Sequence, residues 1–539
     1  MHTTSARRAP HQRFSRLLAS ISAGILAIVV VYGIVVSRAP RAQARPAAAL
    51  ANLATAAATP PGAVAPPMKS GAAATPRTDV EQPPTTDGQA PAGIPPATPD
   101  PLGAPEPPAT TASPATPLVP SAPPVSVTPA DPAAVSWPDQ VTGRVVDAQR
   151  QPLRAASVVV DGKELTVDSD GAFTLVRPTG PITVKLPGYE KVTVPPRTEP
   201  LEVVLKPQAI KAAYLTYYGV LDRGIRTRVL DLVAKTELNA VVIDVKGDRG
   251  WVLYRTEVPL ALAVGAQGPA VYRDFDAFLA ELKARGVYTI ARIVTFKDNV
   301  LATARPDLAI VDTRTRKPWV DNEKLAWVDP FRQETWAYNI AIAQEAVRKG
   351  FDEVQFDYVR FPTDGKLSAA QYAKPNSRET RLPAIAGFLE RARKQIGPLG
   401  GFVAADIFGY TAFNENDTDI GQRIEELAPH VDYLCPMLYP SGYHKGIPGY
   451  RNAVEHPYQV VHESVRLIRK RAAHTPVQVR PWLQDFRDYA YDRRIFGAPE
   501  VRAQITGADE AGGAGWMLWN PRNDYTSAAL RSKGTLAAR

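Results

Sequence analysis

One stretch of the sequence decides the fold: Gly350-Phe351-Asp352-Glu353-Val354-Gln355-Phe356-Asp357-Tyr358-Val359-Arg360-Phe361-Pro362. Its glycine predicts the end of a helix, and the alternation that follows predicts a strand with Glu353, Gln355 and Asp357 on one face. An acid inside a hydrophobic strand carries a desolvation cost that structure alone seldom justifies. If the strand belongs to a closed parallel barrel, Asp357 lies at the end where such barrels hold their active sites.

The rest of the C-terminal region repeats this pattern of a strand followed by an amphipathic segment. Eight such units in residues 208–539 predict an α/β fold, a (β/α)8 TIM barrel with enlarged loops. A doubly wound open sheet is the alternative, but no Gly-x-Gly-x-x-Gly follows the first strand and no phosphate-binding loop occurs, which argues against nucleotide binding. The predicted strands are Ala213–Tyr217, Ala240–Val245, Tyr288–Val294, Glu353–Asp357, Phe402–Ile407, Tyr433–Leu438, Val477–Leu483 and Trp516–Trp519.

The N-terminal quarter of the chain has the composition of an anchor and a tether. Residues 17–37 form an uncharged apolar run long enough to span a bilayer, preceded by a short arginine-rich segment, 1–16. We expect an uncleaved membrane anchor; a signal peptide cleaved after Ala42-Gln43-Ala44 is the alternative. Residues 38–138 are rich in Pro, Ala and Thr, which predicts a disordered, extended linker. Either way, the folded domains are expected outside the cytoplasm.

Residues 139–207 carry five short apolar segments separated by turn residues, which predicts a small all-β unit. The pattern resembles the carboxypeptidase-regulatory-like, transthyretin-like β-sandwich. Asp168 and Asp170 lie in one of the predicted turns, and the other ligands of an EF-hand-type calcium loop are absent from the sequence around them. We therefore interpret these two residues as turn formers.

Polar and aromatic residues cluster where the predicted barrel strands end. In a barrel these ends converge on one mouth, so residues that are distant in sequence would line a single pocket. Asp357 and Asp406 are the catalytic candidates there. The candidate substrate-binding residues are Asp244, Lys246, Arg292, Tyr358, Arg360, Tyr439, Trp482, Gln484, Asp485 and Trp519.

Several of these motifs occur in an order that resembles a known bacterial family. Lys246-Gly247-Asp248, Ile290 to Val294, Phe356 to Pro362, Pro440-Ser441 and Pro481 to Phe486 are similar to the glycosyl hydrolase domain family DUF4015. The resemblance covers about Ala212 to Tyr525. It implies a glycosidase-type barrel.

Glycoside cleavage needs one carboxyl group to protonate the leaving oxygen and a second to act as nucleophile or to activate water. Asp357 and Asp406 end adjacent predicted strands, an arrangement similar to that of the α-amylase-like glycosidases. The resemblance implies Asp357 as nucleophile and Asp406 as general acid/base, with Asp485 or Glu415 as alternative acids. The structural alternatives are a salt bridge from Asp357 to Arg360 or Arg292, and a cap or loop hydrogen bond for Asp406.

Other chemistries fit the sequence less well. The net charge of +9 comes without a basic stripe in the folded region, which argues against a nucleic-acid partner. The seven histidines lack zinc-site spacing, and the single cysteine, Cys435, has no evident base beside it. Asp244 and Lys246 are interpreted as a structural or substrate-orienting pair. A Schiff base on Lys246 rests on its strand position alone.

The sequence therefore predicts a membrane-tethered, exported glycoside hydrolase that acts on an envelope or extracellular polysaccharide. This chemistry uses paired aspartates and requires neither a metal nor an organic cofactor. The main alternative is a non-catalytic barrel that binds carbohydrate and attaches the cell to glycan.

Overall fold

A computed structural model describes residues 138–534 of the chain. The predicted membrane anchor at 17–37 lies outside these residues, as does the predicted linker except for Pro138. Within 138–534, no helix is long and apolar enough to cross a membrane.

The first part of the described chain is a two-sheet β unit. One sheet has the strand order β4-β1-β7, in which β1 runs antiparallel to β4 and parallel to β7. The other has the order β3-β2-β5-β6 and is antiparallel throughout. The core of the β unit consists of buried apolar side chains, among them Val145, Val158 and Val184. The strands are β1 (Gln140–Val146), β2 (Ser157–Val160), β3 (Lys163–Thr166), β4 (Ala172–Val176), β5 (Ile182–Lys185), β6 (Val192–Val194) and β7 (Leu201–Val204).

The second part is a closed parallel barrel, as the sequence predicts. Each barrel strand pairs in parallel with the next, and the last strand pairs in parallel with the first, which closes the barrel. The seventh position is shared by two short segments, β16 and β17. The strands are β8 (Ile210–Leu215), β9 (Ala240–Lys246), β10 (Tyr288–Val294), β12 (Glu353–Asp357), β14 (Phe402–Phe408), β15 (Tyr433–Met437), β16 (Gln478–Val479), β17 (Trp482–Gln484) and β18 (Gly515–Trp519).

Helices follow the barrel strands, and a small antiparallel pair, β11 (Val311–Asp312) with β13 (Ala370–Gln371), decorates the loops. The apolar sides of the helices pack on the outside of the barrel in one large core. The helices are α1 (Tyr217–Leu221), α2 (Arg223–Lys235), α3 (Pro259–Ala263), α4 (Phe275–Ala284), α5 (Asn299–Ala304), α6 (Gln333–Lys349), α7 (Arg378–Ile396), α8 (Ile424–Leu427), α9 (Pro457–Arg471) and α10 (Ala498–Glu510).

Four barrel strands differ from their predicted bounds by one residue, and the first and the seventh differ by more, for local reasons. The first strand ends at Leu215, because the Thr216 side chain accepts a hydrogen bond from the backbone N–H of Gly219 and so caps α1. The seventh is interrupted at Arg480-Pro481, because proline has no N–H to donate to the neighbouring strand. Strands β10 and β12 have the predicted bounds.

Strand β12 divides its side chains between the two sides of the barrel wall. Val354 and Phe356 pack outward against the helices, and Gly350 ends α6 with a φ of +116°, a value that favours glycine. On the inward face, Glu353 pairs with Arg480, and neither side chain is exposed. A buried charge of this kind is tolerated only with its partner in place.

The β unit packs against the bottom of the barrel, away from the ends where Asp357 lies. The Lys185 Nζ donates to the Gly401 carbonyl oxygen at 2.7 Å, and the Gly188 N–H donates to the Tyr433 hydroxyl at 2.9 Å. Glu164 binds Arg393 of α7 at 2.7 Å. Gly401 and Tyr433 lie at the N-terminal ends of β14 and β15, so this contact seals the lower end of the barrel.

We predict that Glu164 makes the packing of the two parts pH-dependent. Burial alone would raise its pKa, but Arg393 and Lys185 lower it from the ordinary value of 4.5 to about 2. A lowered folded-state pKa contributes stability above the ordinary value, and this contribution is lost as the pH falls from 4.5 towards 2. Urea unfolding at pH 7, 4 and 3 should therefore show a smaller acid loss for Glu164→Gln than for the wild type.

Glu202→Gln is the matched control, because Glu202 forms an ion pair with Arg150 on the exposed surface of the same β unit. It should follow the wild-type pH dependence. An equal loss of unfolding free energy at acidic pH in Glu164→Gln and the wild type would contradict the role given to Glu164.

Candidate active site

A guanidinium group joins two carboxylates at the mouth of the barrel. The Arg292 Nη1 donates to Asp244 Oδ1, while Nε (3.0 Å) and Nη2 donate to Asp357 Oδ2. These residues come from the neighbouring strands β9, β10 and β12, and Arg292 lies directly opposite Asp244 in the β9–β10 register. Tyr214 of β8 completes the group by donating its hydroxyl to Asp244 Oδ2 at 2.5 Å.

The two carboxylates also keep Arg292 charged although it is buried. Burial alone would lower the pKa of Arg292, but Asp244 and Asp357 raise it well above its usual range. The cation also lies 5.1 Å from the ring centre of Trp519 and 5.5 Å from that of Tyr214. Of the two arginines that the sequence offered as partners for Asp357, the structure selects Arg292; Arg360 makes no ion pair with Asp357.

The chain turns sharply directly after Asp357. Tyr358 has a φ of +49°, a left-handed conformation that is uncommon outside glycine. Its N–H donates to Asp357 Oδ1 at 2.6 Å, so the turn itself orients the carboxylate. Backbone strain of this kind often occurs at functional sites, where the surrounding structure holds it in place.

Asp406 lies at the end of the adjacent strand β14 in a different environment. The pairing of Phe356 with Ala405 places Asp357 and Asp406 one step further along neighbouring strands. Asp406 is 1% exposed; its Oδ1 accepts a 2.7 Å hydrogen bond from the Trp482 indole N–H. Its Oδ2 is buried and has no hydrogen-bond partner among the described residues.

The two carboxyl groups therefore lie in different electrostatic surroundings. Burial, followed by the charge of Asp357, raises the pKa of Asp406 well above its ordinary range, and Arg292 and the Trp482 hydrogen bond oppose this rise only in part. Asp357 by contrast has a guanidinium and a backbone N–H donating to its two oxygens. The site thus combines a carboxylate held in an ion pair with a neighbouring carboxyl group whose pKa is raised.

A cleft opens at this end of the barrel, and Asp357 is part of its wall. Its wall is mostly aromatic, the composition typical of a site that binds a ligand through ring faces and a few polar groups. The cleft is lined by Arg292, Asp357, Tyr358, Arg360, Phe408, Gly409, Tyr410, Met437, Tyr439, Gly442, Tyr443, His444, Trp482, Tyr489 and Trp519.

Seven of the twelve residues singled out in the sequence line this cleft: Asp357, Arg292, Tyr358, Arg360, Tyr439, Trp482 and Trp519. Asp406 is not part of the wall but accepts a hydrogen bond from Trp482, which is. Asp244 supports Arg292 from below. Lys246, Gln484 and Asp485 are not part of the wall, and neither is Glu415, whose side chain is exposed.

Lys246 does not pair with Asp244, contrary to our interpretation of the sequence. The β9–β10 register shifts between Arg292 and Ile293, so that Ile293 lies opposite Lys246. Such a bulge redirects the side chains that follow it. Lys246 instead forms an ion pair with Asp298 at 2.5 Å, with no exposed side-chain surface and outside the cleft wall. This geometry gives no support to a Schiff base.

Gln484 and Asp485 hold the loops around the cleft. The Gln484 amide accepts from the Ser441 N–H at 3.0 Å and donates to the Ser441 hydroxyl at 2.7 Å. Asp485 accepts from the backbone N–H and the hydroxyl of Thr526 at 2.9 and 2.6 Å. Burial raises the pKa of Asp485 to about 6, and the Thr526 hydrogen bonds oppose that rise. Both residues connect neighbouring loops.

Sequence reasoning missed the loop half of the cleft wall. His444 and Tyr489 lie in the loops after β15 and β17, and Phe408 and Tyr410 lie at and just beyond the end of β14. The hydroxyl of Tyr489 is buried without a hydrogen-bond partner in the described residues, as is the indole N–H of Trp519. A signal was present in Tyr443-His444 and Phe486 to Tyr491, where aromatic residues cluster in loops.

The family model described as "Putative glycosyl hydrolase domain" matches residues 212–525 of the chain. This range contains β9 to β18 and the whole cleft. No curated protein matches the chain.

The chain is similar to several solved structures, among them those of three bacterial proteins. A hypothetical protein from Ruminiclostridium thermocellum ATCC 27405 is 36% identical, with 36% of this chain and 96% of that chain covered and a TM-score of 0.32. The PgaB (BpsB) glycoside hydrolase domain from Bordetella bronchiseptica is 15% identical, with 58% and 94% covered and a TM-score of 0.42. The spore cortex-lytic enzyme SleL from Bacillus megaterium QM B1551 is 10% identical, with 67% and 78% covered and a TM-score of 0.36.

We predict that Trp482→Phe raises the pKa of Asp406 further, because it removes a hydrogen bond to the carboxyl group that favours its ionised form. A ¹³C NMR titration of protein labelled at aspartate carboxyl carbons measures this change, with Asp406→Asn identifying the signal. Trp336→Phe is the control, since the Trp336 indole donates to the Pro330 carbonyl oxygen away from the site. An unchanged or lower Asp406 pKa in Trp482→Phe would contradict the role given to this bond.

Proposed function

Because the chain belongs to the DUF4015 glycosyl hydrolase domain family, we propose that its cleft hydrolyses glycosidic bonds of an envelope or extracellular polysaccharide. One observation supports this most strongly: a charged and a protonation-prone carboxyl group end two adjacent barrel strands beneath an aromatic cleft. Glycosidases need this difference, since one carboxyl group must be ionised while the other donates a proton.

In the proposed mechanism Asp357 attacks the anomeric carbon as the glycosidic bond breaks. Asp406 gives its proton to the departing sugar oxygen, which leaves as an alcohol. Asp406, now a carboxylate, removes a proton from water, and the resulting hydroxyl group displaces Asp357 from the sugar. The bound glycosidic oxygen, and then the water, would supply the partner that Asp406 Oδ2 lacks.

Arg292 has a positioning role in this scheme. It binds Asp357 Oδ2 through two nitrogens and is fixed from the other side by Asp244. Its charge keeps Asp357 ionised next to Asp406 and so maintains the difference between the two groups. Since Asp406 must begin each cycle protonated, activity should fall as the pH rises through its raised pKa.

The aromatic wall would bind the sugar chain. Tyr439, Trp482 and Trp519 present rings to the cleft, and such rings pack on the apolar faces of sugars. The partnerless Tyr489 hydroxyl and Trp519 indole N–H would bond sugar hydroxyl groups. Buried polar groups are nearly always hydrogen-bonded, so a polar ligand is a suitable partner for both.

A non-catalytic carbohydrate-binding barrel is the second candidate. The aromatic wall and the two partnerless groups favour it as much as they favour an enzyme. Only the carboxyl pair separates the two, because binding alone does not require an acid with a raised pKa.

We predict that Asp357→Asn and Asp406→Asn each reduce glycan hydrolysis by at least about a hundredfold, the scale on which acid/base and nucleophilic groups contribute. Asp357→Asn should still fold, because Arg292 keeps its ion pair with Asp244. Reducing-end release from a panel of bacterial envelope glycans measures activity, and thermal unfolding checks the fold.

Asp276→Asn is the matched control, since Asp276 is exposed on α4 and pairs only with Lys349 at the surface. It should retain wild-type turnover. Equal product release by Asp357→Asn and the wild type would rule out the nucleophile. Glycan binding by the wild type without any product would favour the binding barrel.

We also propose that residues 17–37 anchor the protein with its folded part outside the cytoplasm. Cell fractionation should find the full chain in the membrane fraction, and its barrel should be accessible to protease from outside the inner membrane. Deletion of residues 17–37 should leave the protein in the cytoplasm. A soluble exported form with a new N-terminus would instead indicate a cleaved signal peptide.

A further inference from the structure

With one exception, every buried lysine and arginine in the described part of the chain has a carboxylate within ion-pair distance. The buried lysines are Lys185, Lys246 and Lys297, and each has a carboxylate within 3.3 Å. The buried arginines are Arg292, Arg360, Arg381 and Arg480. Three of these four bind a carboxylate directly. Arg360, which is 3% exposed, has no carboxylate within ion-pair distance among residues 138–534.

The exception lies in the cleft wall. Arg360 donates only through Nη1, to the Phe361 carbonyl oxygen at 3.0 Å and to the Thr363 hydroxyl at 3.5 Å. Its Nε and Nη2 have no hydrogen-bond partner in the described residues. The side chain lines the same cleft as Asp357, three residues earlier in the chain.

In arginine, the Nε and Nη2 groups together form an edge that can bind an oxyanion through two parallel hydrogen bonds. Other arginines of this chain show the arrangement. Arg381 holds Asp417 through Nε and Nη2 at 2.7 and 3.2 Å, and Arg471 holds Glu425 through the same atoms at 2.7 and 2.8 Å. In Arg360 this edge is unused.

The surroundings of Arg360 do not replace the missing partner. Its guanidinium carbon lies 4.6 Å from the ring centre of Phe408, 4.9 Å from Tyr358 and 5.2 Å from Trp327. Cation–π contacts offset a smaller part of the free-energy cost of desolvating the guanidinium than an ion pair with two hydrogen bonds does. These ring contacts provide no hydrogen-bond acceptor in the ring plane for Nε and Nη2.

The nearby carboxylates are engaged elsewhere. Asp364 accepts from the Asn322 N–H at 3.0 Å, Asp321 binds Lys297 at 3.2 Å, and Asp357 is bound by Arg292. They act on Arg360 only at longer range, and burial lowers its pKa. The arginine is thus oriented and desolvated but lacks a direct counter-charge.

We propose that Arg360 binds an oxyanion substituent of the sugar in the cleft, a carboxylate or a phosphate, so that the preferred glycan is acidic. This inference rests on the proposed function in placing a sugar in the cleft, and it goes further by naming the class of sugar. The aromatic wall would hold the ring of the sugar, while Arg360 would select its charge.

Full-length protein binding to matched oligosaccharides tests the inference. Each backbone, in several linkages, is presented in three forms: as the uronic acid, as its carboxyl-reduced neutral parent and as the 6-phosphate. Biolayer interferometry compares the wild type with Arg360→Gln, Arg360→Lys and the control Arg285→Gln, which removes an exposed surface arginine. Thermal unfolding confirms that each variant is folded.

We expect the wild type to bind at least one acidic form about tenfold or more tighter than its neutral parent, the scale of a charge-assisted hydrogen-bonded pair. Arg360→Gln should lose this preference and keep the affinity for the neutral form. Arg360→Lys should keep part of the preference, because it retains the charge but loses the two-pronged edge. Tighter binding of the uronic acid than of the phosphate would identify a carboxylate, and the reverse order a phosphate.

Three results would overturn the inference: no binding to any acidic form, equal binding of acidic and neutral forms, or an unchanged preference in Arg360→Gln. Its failure is distinguishable from failure of the proposed function. Cleavage of a neutral glycan that is unaffected by Arg360→Gln would leave the hydrolase standing without acidic selectivity. Arg360-dependent binding of an acidic glycan without cleavage would support the acidic selectivity and contradict the proposed hydrolase.

Discussion

The guanidinium of Arg292, held between Asp244 and Asp357, is the interaction on which the site depends. Three neighbouring strands each supply one member, and the group is buried at the mouth of the barrel. A buried carboxylate without a counter-charge would take up a proton. Arg292 supplies a counter-charge to Asp357, whereas burial and the charge of Asp357 raise the pKa of Asp406 on the next strand.

The two ends of the barrel use buried charge for different purposes. At the lower end, Glu353 and Arg480 form a buried ion pair, and the β unit covers the strands through Glu164, Lys185 and Gly188. At the upper end, Asp406 Oδ2 lacks a partner and the Nε–Nη2 edge of Arg360 is unused. Among the buried polar atoms without a partner in the described residues, those of His444, Tyr489 and Trp519 lie in the cleft wall, and Asp406 is hydrogen-bonded to Trp482 of that wall.

Much of the fold was predictable because it rests on short-range patterns. Alternation and β-branched residues identified β10 and β12 with their bounds, and the order of strands and amphipathic segments identified the barrel. The ends of the strands were harder to predict, since the helix cap at Thr216 or the missing N–H of Pro481 changes where a strand ends. Such local hydrogen bonding is not part of the alternation from which the strands were predicted.

The site was predictable in part for the same reason. Residues at strand ends, such as Asp357, Arg292 and Trp519, follow from the topology of a barrel. The partner of Lys246 did not follow, because a one-residue bulge reverses the direction of its side chain. His444 and Tyr489 lie in loops with no periodicity, and only the folded chain brings them to the cleft.

The proposed hydrolysis requires an ionised Asp357 and a protonated Asp406 in the same resting site. A neutron diffraction structure of the protein at pH 7 can distinguish the two states, because it locates deuterium on carboxyl oxygens. We expect a deuteron on Asp406 Oδ2, none on Asp357, and a fully deuterated Arg292 guanidinium between Asp244 and Asp357. A deuteron on Asp357, or an ionised Asp406, would contradict this expectation.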